Sequence, residues 1–251
     1  MIIDLISIIT PCYNSNDFIS ETIDSVINQT YKNWELIIID DCSTDNSVEI
    51  VQKYLEKDSR IKLFVNNKNS GAAVSRNFGL LKSSGRFISF LDSDDLWEPQ
   101  KLETQINFML DNDCPISFTK YRLIDEKGDL LNKTIKVVKE IDYYGYLKNT
   151  IIGMSTSMID LTKIESFEFK NIRTRQDTYL WITLLKRGLI AHGLNITLVS
   201  YRVRNDSISA NKYRAAKQVW KLYYNFEKLG LIKSTYYFVY YIYNAIKKRI
   251  L

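Results

Sequence analysis

With 251 residues, 45% of them hydrophobic and 25% charged, the chain has the make-up of an ordinary soluble globular protein with one sizeable core. Its single histidine, His192, and three scattered cysteines, Cys12, Cys42 and Cys114, nearly exclude a zinc site, a Ser-His-Asp triad and a disulfide framework, and the thiols fit a reducing cytoplasm. The net charge of +5 hides an asymmetry: residues 211–251 hold nine Lys/Arg against one acid, Glu227, a net of +8, so the first 210 residues are net −3.

The opening MIIDLISIIT has no basic n-region and no small-residue cleavage site, so no signal peptide is expected. LISIIT (5–10), ELIIID (35–40), IKLFVN (61–66) and RFISFL (86–91) are short, β-branched-rich runs bounded by polar residues, the pattern of buried strands. Phe18, Ile19, Thr22, Ile23, Val26 and Ile27 follow helical spacing in the first gap. Val48, Val51, Tyr54 and Leu55 do so in the second, behind the cap candidates Ser43 and Thr44. AAVSRNFGLLKS reads as a short third helix. Strand–helix–strand, three times over, predicts an α/β fold: a doubly wound, mostly parallel sheet with helices on both faces. In such sheets ligands bind outside the carboxyl ends of the strands. That rule selects PCYN (11–14), DDCS (40–43), NNKNSG (66–71) and DSDD (92–95) as four loops meeting on one rim. No G-x-G-x-x-G follows the first strand and no P-loop is present, which argues against a dinucleotide or P-loop enzyme. Beyond residue 99 the pattern predicts a helix near 99–112, a strand at PISFTKY (115–121) and a helix near 176–187.

FISFLDSDDLWEP (87–99) places Asp92, Asp94 and Asp95 directly after an apolar run. An unpaired buried charge costs several kcal/mol, about 3 or more, so three carboxylates together need a reason. Either they cap the helix that begins near Pro99, or they present oxygen ligands to a hard divalent cation such as Mg²⁺ or Mn²⁺.

SIITPCYNSNDFISETIDSVINQTYKNWELIIIDDCSTDNS, followed by NSGAAVSRNFGLLKSSGRFISFLDSDDLW, resembles the nucleotide-sugar-binding half of family 2 glycosyltransferases with the GT-A fold, from residue 5 to about 112. The resemblance implies a role for each matching position. Pro11, Tyr13 and Asn14 would close over the uracil and ribose of a UDP-sugar, Asp40 and Asp41 would meet the base, and Arg76 would contact the nucleotide. Asp92, Ser93 and Asp94 form the metal motif, with Asp94 and Asp92 as ligands to diphosphate-bound Mn²⁺ or Mg²⁺. Asp95 and Trp97 would face the transferred sugar or the acceptor, Trp97 as a stacking surface. In IIGMSTSMI (151–159), Met154 and Ser155 would be acceptor contacts. The family's catalytic base is an acid at a helix start, usually in a Glu-Asp pair. RTRQDTYLW keeps it as Asp177 but has Gln176 in place of the glutamate. In SYRVRNDSIS (200–209) a histidine common in relatives is missing near Arg204, so Arg202 or Arg204, or Arg173 or Arg175, would neutralise the leaving diphosphate.

Residues 211–251 hold eleven of the 32 aromatic residues together with the basic excess. The uncharged run STYYFVYYIYNAI, between Lys233 and Lys247, would span roughly 20 Å as a helix, too short for a bilayer core of about 30 Å. Tyrosines flanked by lysines suit the membrane interface, with packing on the catalytic domain or a homodimer contact as the other readings. No nucleic-acid module accompanies the charge. The expected organisation is a transferase domain over 1–210, with a nucleotide-sugar half (1–112) and an acceptor half (113–210), and a helical tail over 211–251. The expected activity is inverting, metal-dependent transfer of a hexose from a UDP-sugar to a polyprenyl-diphosphate-linked glycan of O-antigen or capsule type, at the inner face of the cell membrane. A catalytically inactive GT-A binding subunit and an Asp-dependent phosphatase are the alternatives.

Overall fold

The computed structural model describes residues 4–204 and 212–250. The first three residues of the opening segment, positions 205–209 of the expected diphosphate loop and the expected domain boundary at 210/211 lie outside the described residues. The chain runs β1 (Ile6–Cys12), α1 (Ile19–Ile27), β2 (Trp34–Asp40), α2 (Ser47–Leu55), β3 (Ile61–Val65), α3 (Ala72–Lys82), β4 (Phe87–Phe90), β5 (Leu96–Trp97), α4 (Lys101–Asp111) and β6 (Ile116–Ile124). It continues through β7 (Leu130–Ile135), β8 (Glu140–Ile141), α5 (Tyr143–Lys148), β9 (Ser157–Asp160), α6 (Gln176–Lys186) and β10 (Ala191–Arg202) to α7 (Lys212–Lys221) and α8 (Gly230–Ile250), with one π-helical turn, Leu222–Phe226, before α8.

One sheet organises the molecule, in the order β3-β2-β1-β4-β9-β6-β10-β5, with β7 on β6 and β8 on β10. β1 to β4 are mutually parallel, and the register aligns Cys12 with Asp40, Asp40 with Val65, and Ile9 with Phe90. The loops after these strands therefore leave from one edge. Beyond β4 the sheet is mixed: β9 lies antiparallel between β4 and β6, and β10 runs parallel to β6.

Alternation along β1 explains why helices cover both faces, because successive strand side chains point to opposite sides. Ile6 and Ile8 join Ile19, Ile23, Val51, Leu102 and Ile106 in one core, whereas Ile9 joins Ala73, Leu147, Leu180 and Trp181 in the other. α3 lies very close to β1: a methyl group at Gly79 would sit 2.5 Å from Cγ2 of Ile9, so a glycine sets that approach.

Several local expectations need correction. Ser43 and Thr44 do not cap α2, which starts at Ser47, because Asp40 holds Ser43 back in the preceding turn. Asp94 and Asp95 do not cap α4 either, since β5 intervenes and the helix starts at Lys101. In IIGMSTSMI only Ser157 onward is strand, and Met154–Thr156 is a 3₁₀ turn. The tail packs on the domain, one of the readings given for it: α8 packs on α5, and Tyr237, Phe238 and Tyr241 join the core around α6. Among the described residues, no helix is long and apolar enough to cross a membrane.

Candidate active site

The first two rim loops are built around buried acids. Asp40 accepts from the Ser43 amide at 2.9 Å and from the Ser43 hydroxyl at 2.5 Å. The Ser43 hydroxyl in turn accepts from the amide of Asn14, whose φ of 47° is left-handed, a conformation asparagine tolerates better than most residues. Asn14 Oδ1 accepts from the Thr44 amide at 2.8 Å, which locks the PCYN and DDCS loops together. Asp41 joins the third loop, accepting from Asn66 Nδ2 (2.8 Å) and from the Ser70 and Gly71 amides (3.0 and 2.6 Å). Gly71 supplies the positive φ of 89° that this turn needs at the start of α3. Tyr13, 47% exposed, projects from this frame, with Pro11 on β1 beside it.

In DSDD the three carboxylates take three different environments. Asp95 is fully buried, accepting from the Arg202 amide (2.9 Å) and the Ser155 hydroxyl (2.5 Å). Burial and the neighbouring charges of Asp94 and Asp92 push its carboxyl well above the ordinary range. Asp92 is one-third exposed and accepts from Arg76 Nη2 at 2.6 Å. Asp94 is pushed up to about 6, first by burial and then by Asp92, and Arg204 at 3.6 Å only partly offsets this. Ser93 shares a hydrogen bond of 2.8 Å with Ser15, which ties the motif back to the first loop.

This sorts the expected site residues. Asp95 does not face an acceptor, because both its oxygens are occupied inside the protein. Trp97 is 4% exposed, donates its indole N–H to the Ser155 carbonyl at 2.8 Å and has the Lys101 amine 3.6 Å from its ring centroid. It is a core residue with no face free for a sugar. Met154 and Ser155 are buried too, and Ser155 also accepts from the Asp92 amide, so this segment supports DSDD from beneath. Arg202 is buried and donates to the carbonyls of Asp94 and Glu126 and to Glu21, so it staples β10 to the motif and is not available to a diphosphate. Arg204 remains at the rim, beside Asp94 and 5.0 Å from the Phe18 ring. His192 lies within β10, next to Glu140.

Asp92 and Asp94 are the oxygen-ligand carboxylates that would meet a hard divalent cation, although Asp92 is paired with Arg76 and Asp94 is raised first by burial and only then by the Asp92 charge. Among the described residues no group of three or more His, Cys, Asp or Glu side chains is arranged for a metal. The protein would therefore supply two carboxylates, and substrate phosphates and water the rest.

Asp177 stands in the first turn of α6, where a carboxylate meets the positive end of the helix dipole. It lies close to Tyr146, whose phenol is pushed up by burial and then by the Asp177 charge. Arg175, just before the helix, has a left-handed φ of 61° and donates to the Tyr241 hydroxyl on α8 at 3.4 Å.

Asn77 and Phe169 escaped the sequence reading. Asn77 Nδ2 donates to the Phe169 carbonyl (2.8 Å) and Asn77 Oδ1 accepts from the Phe169 amide (2.7 Å), clamping the segment before α6 onto α3. The Phe169 ring lies 5.5 Å from the Arg76 guanidinium. The one available signal is that Asn77 follows Arg76 on the same helix.

Comparison with known proteins gives the family and the fold. The family described as Glycosyl transferase family 2 matches residues 7–172. TuaG of Bacillus subtilis (strain 168), assigned by its name to teichuronic acid biosynthesis as a glycosyltransferase, is 47% identical over 98% of both chains. WfgD of Escherichia coli, named as a UDP-Glc:alpha-D-GlcNAc-diphosphoundecaprenol beta-1,3-glucosyltransferase, is 40% identical over 97% of this chain and 94% of its own. Among solved structures, S. aureus TarS 1-349 in complex with UDP-GlcNAc superposes with a TM-score of 0.71 at 21% identity, over 88% of this chain and 66% of that one. The mannosyltransferase PcManGT from Pyrobaculum calidifontis, in complex with GDP-Man and Mn²⁺, gives 0.68 at 18% identity over 90% of this chain and 65% of that one.

Proposed function

The chain belongs to glycosyl transferase family 2 and has the GT-A fold, and from that premise we propose that it moves a hexose from a UDP-sugar to a hydroxyl of a polyprenyl-diphosphate-linked glycan, with inversion. The observation that carries the reading is the rim itself: the interlocked loops of Tyr13, Asn14 and Asp41 beside the DSDD carboxylates, of which Asp92 is paired with Arg76 and Asp94 is only partly offset by Arg204. WfgD, by its name a UDP-Glc enzyme on a lipid-linked GlcNAc, supports glucose as the sugar and a lipid-linked acceptor. The polysaccharide would belong to the bacterial surface, as an O-antigen, capsule or related polymer. Such an acceptor places the enzyme on the cytoplasmic face of the cell membrane as a peripheral protein.

Tyr13 and Asn14 would close over uracil and ribose. Asp40 and Asp41, expected to meet the base, are buried with their oxygens taken by Ser43 and by Asn66, Ser70 and Gly71, and so would hold the loops that receive it. Arg76 has Nε and Nη1 buried without hydrogen-bond partners, which suits a contact to the incoming nucleotide. Asp92 and Asp94 would hold Mn²⁺ or Mg²⁺, which neutralises charge on the leaving diphosphate when bound. Arg204 adds positive charge at the same edge. Asp177 takes the proton from the acceptor hydroxyl as its oxygen bonds to the anomeric carbon and the bond to UDP breaks.

The test is UDP release from a panel of UDP-sugars with a GlcNAc-diphosphate-lipid acceptor. Acceptor-dependent UDP with one preferred sugar is expected. UDP-sugar binding without release in any combination would identify an inactive binding subunit.

A further inference from the structure

α8 carries two opposite faces. Ser234, Tyr237, Phe238, Tyr241 and Asn244 point inward: Ser234 is fully buried, Tyr237, Phe238 and Tyr241 pack on the α5–α6 core, and Asn244 donates to the Lys148 carbonyl at 3.0 Å. On the other side Ile232, Tyr236, Val239, Tyr243 and Ile246 recur at spacings of 4, 3, 4 and 3, which aligns them in one stripe along the helix. All five are exposed, from 47% at Tyr236 to 86% at Ile232. A continuous apolar stripe of this length marks a docking surface.

Charge decides what docks there. α8 contains no Asp or Glu, and the exposed Lys233 and Lys247 flank the stripe. A second copy of the helix would bring only like charges to the seam. A bilayer carrying anionic lipids supplies the opposite sign, and tyrosine is a residue favoured at the headgroup level. A helix with an apolar face and a basic edge lies in the interface plane.

The inner face leads to the catalytic end of α6. Tyr241 accepts from Arg175, the residue two before Asp177 in a left-handed turn. Tyr223 in the π-helical turn donates to the Leu147 carbonyl at 2.6 Å, and Tyr143 donates to Glu227, so α5 is fastened to the same tail. We infer that α8 docks the protein on an anionic bilayer through its Ile232–Ile246 stripe, and that Tyr241 couples that docking to the turn carrying Asp177. The inference rests on the transferase reading only where turnover is measured. Tyr241 is a positioning residue: it acts through Arg175.

The experiment uses the full chain, vesicles of phosphatidylcholine with and without phosphatidylglycerol, and two variants. Ile232→Ser, Val239→Ser and Ile246→Ser together should cut sedimentation with anionic vesicles at least tenfold, while turnover on a water-soluble acceptor without vesicles stays at the wild-type rate. Tyr241→Phe should bind vesicles normally and keep the UDP-sugar KM, while kcat falls several-fold. Anionic vesicles should slow amide hydrogen exchange at residues 175–178 in the wild type and not in Tyr241→Phe, a readout that needs no activity. Undiminished vesicle binding by the triple variant would overturn the docking surface, as would its conversion of a wild-type dimer to monomer. Equal exchange protection in wild type and Tyr241→Phe would overturn the coupling. Absence of UDP release from the wild type would instead count against the transferase reading and leave both of the other readouts decisive.

Discussion

Arg76 on α3 donates from Nη2 to Oδ1 of Asp92 at 2.6 Å, joining a helix of the nucleotide half to the carboxylate motif after β4. The guanidinium is buried and its other two nitrogens have no hydrogen-bond partner, whereas Asp92 is one-third exposed. A buried guanidinium with one hydrogen-bond partner, Asp92, beside the Phe169 ring keeps donors for more acceptors, and a nucleotide diphosphate or ribose offers them.

Arg76→Lys keeps the charge but loses the planar fork, which matters where several acceptors must be met at once. Hydrogen bonds to charged groups contribute about 1.5–3 kcal/mol, so UDP-sugar affinity should fall by about tenfold or more. Isothermal titration with UDP checks this, and unchanged affinity would confine Arg76 to holding Asp92.

Trp97→Phe separates core packing from sugar stacking. It removes the indole N–H donated to the Ser155 carbonyl and leaves a smaller ring beside Lys101. Stability should drop by about 1–3 kcal/mol in urea unfolding. The acceptor KM should not change, because neither face of the ring reaches the rim.

How far the sequence could be read follows from where each partner lies. The four strands and the rim they define were legible, because β-branched runs and strand-end loops are local signals. But β3, expected to be buried, is the edge strand with only Ile61 buried, since pairing on one side alone leaves Lys62 and Val65 exposed. So was the identity of the acids in DSDD. What each acid does was not legible, because their environments are set by residues far away in the chain: Asp95 is consumed by Ser155 and Arg202, 60 and 107 residues on. Arg202 and Arg204 look alike in SYRVR, yet one is a buried staple and the other stays at the rim. The tail shows the converse. Its two faces were present as helical periodicity, but only the packing of α8 on α5 reveals which face is inside.

That packing sets the outcome expected for truncation. Removing residues 232–251 takes away Tyr237, Phe238 and Tyr241, which cover the core around α6. Each such side chain contributes about 1.5–3 kcal/mol when fully buried and less when partly exposed. The truncated protein should therefore be destabilised by several kcal/mol, about 3–6 on that scale, and lose turnover on soluble acceptors as well. Thermal unfolding and activity of the purified truncation check both.

Glu35 gives a pH prediction away from the site. Burial alone would raise its carboxyl, but donors from Lys62, Ser7 and Ser84 together outweigh burial and lower it below the ordinary 4.5. A carboxylate with a depressed folded-state value adds stability that is complete above its unfolded value and disappears as pH falls through the folded one. Glu35→Gln should then cost about 1–3 kcal/mol near neutral pH. The gap from wild type should narrow as pH drops below 4.5. A gap that holds constant down the acid limb of a stability–pH curve would contradict this account.

The most direct test of the catalytic reading is Asp177→Asn. The substitution keeps size and helix-start chemistry but cannot take a proton at neutral pH, and asparagine also suits a helix start. General-base catalysis contributes about 10²–10⁴-fold, so acceptor-dependent UDP release should fall by that order. UDP-sugar affinity should stay near wild type, since uracil, ribose and diphosphate would be held by the first-half rim. A variant that still turns over at close to the wild-type rate would remove Asp177 from the mechanism.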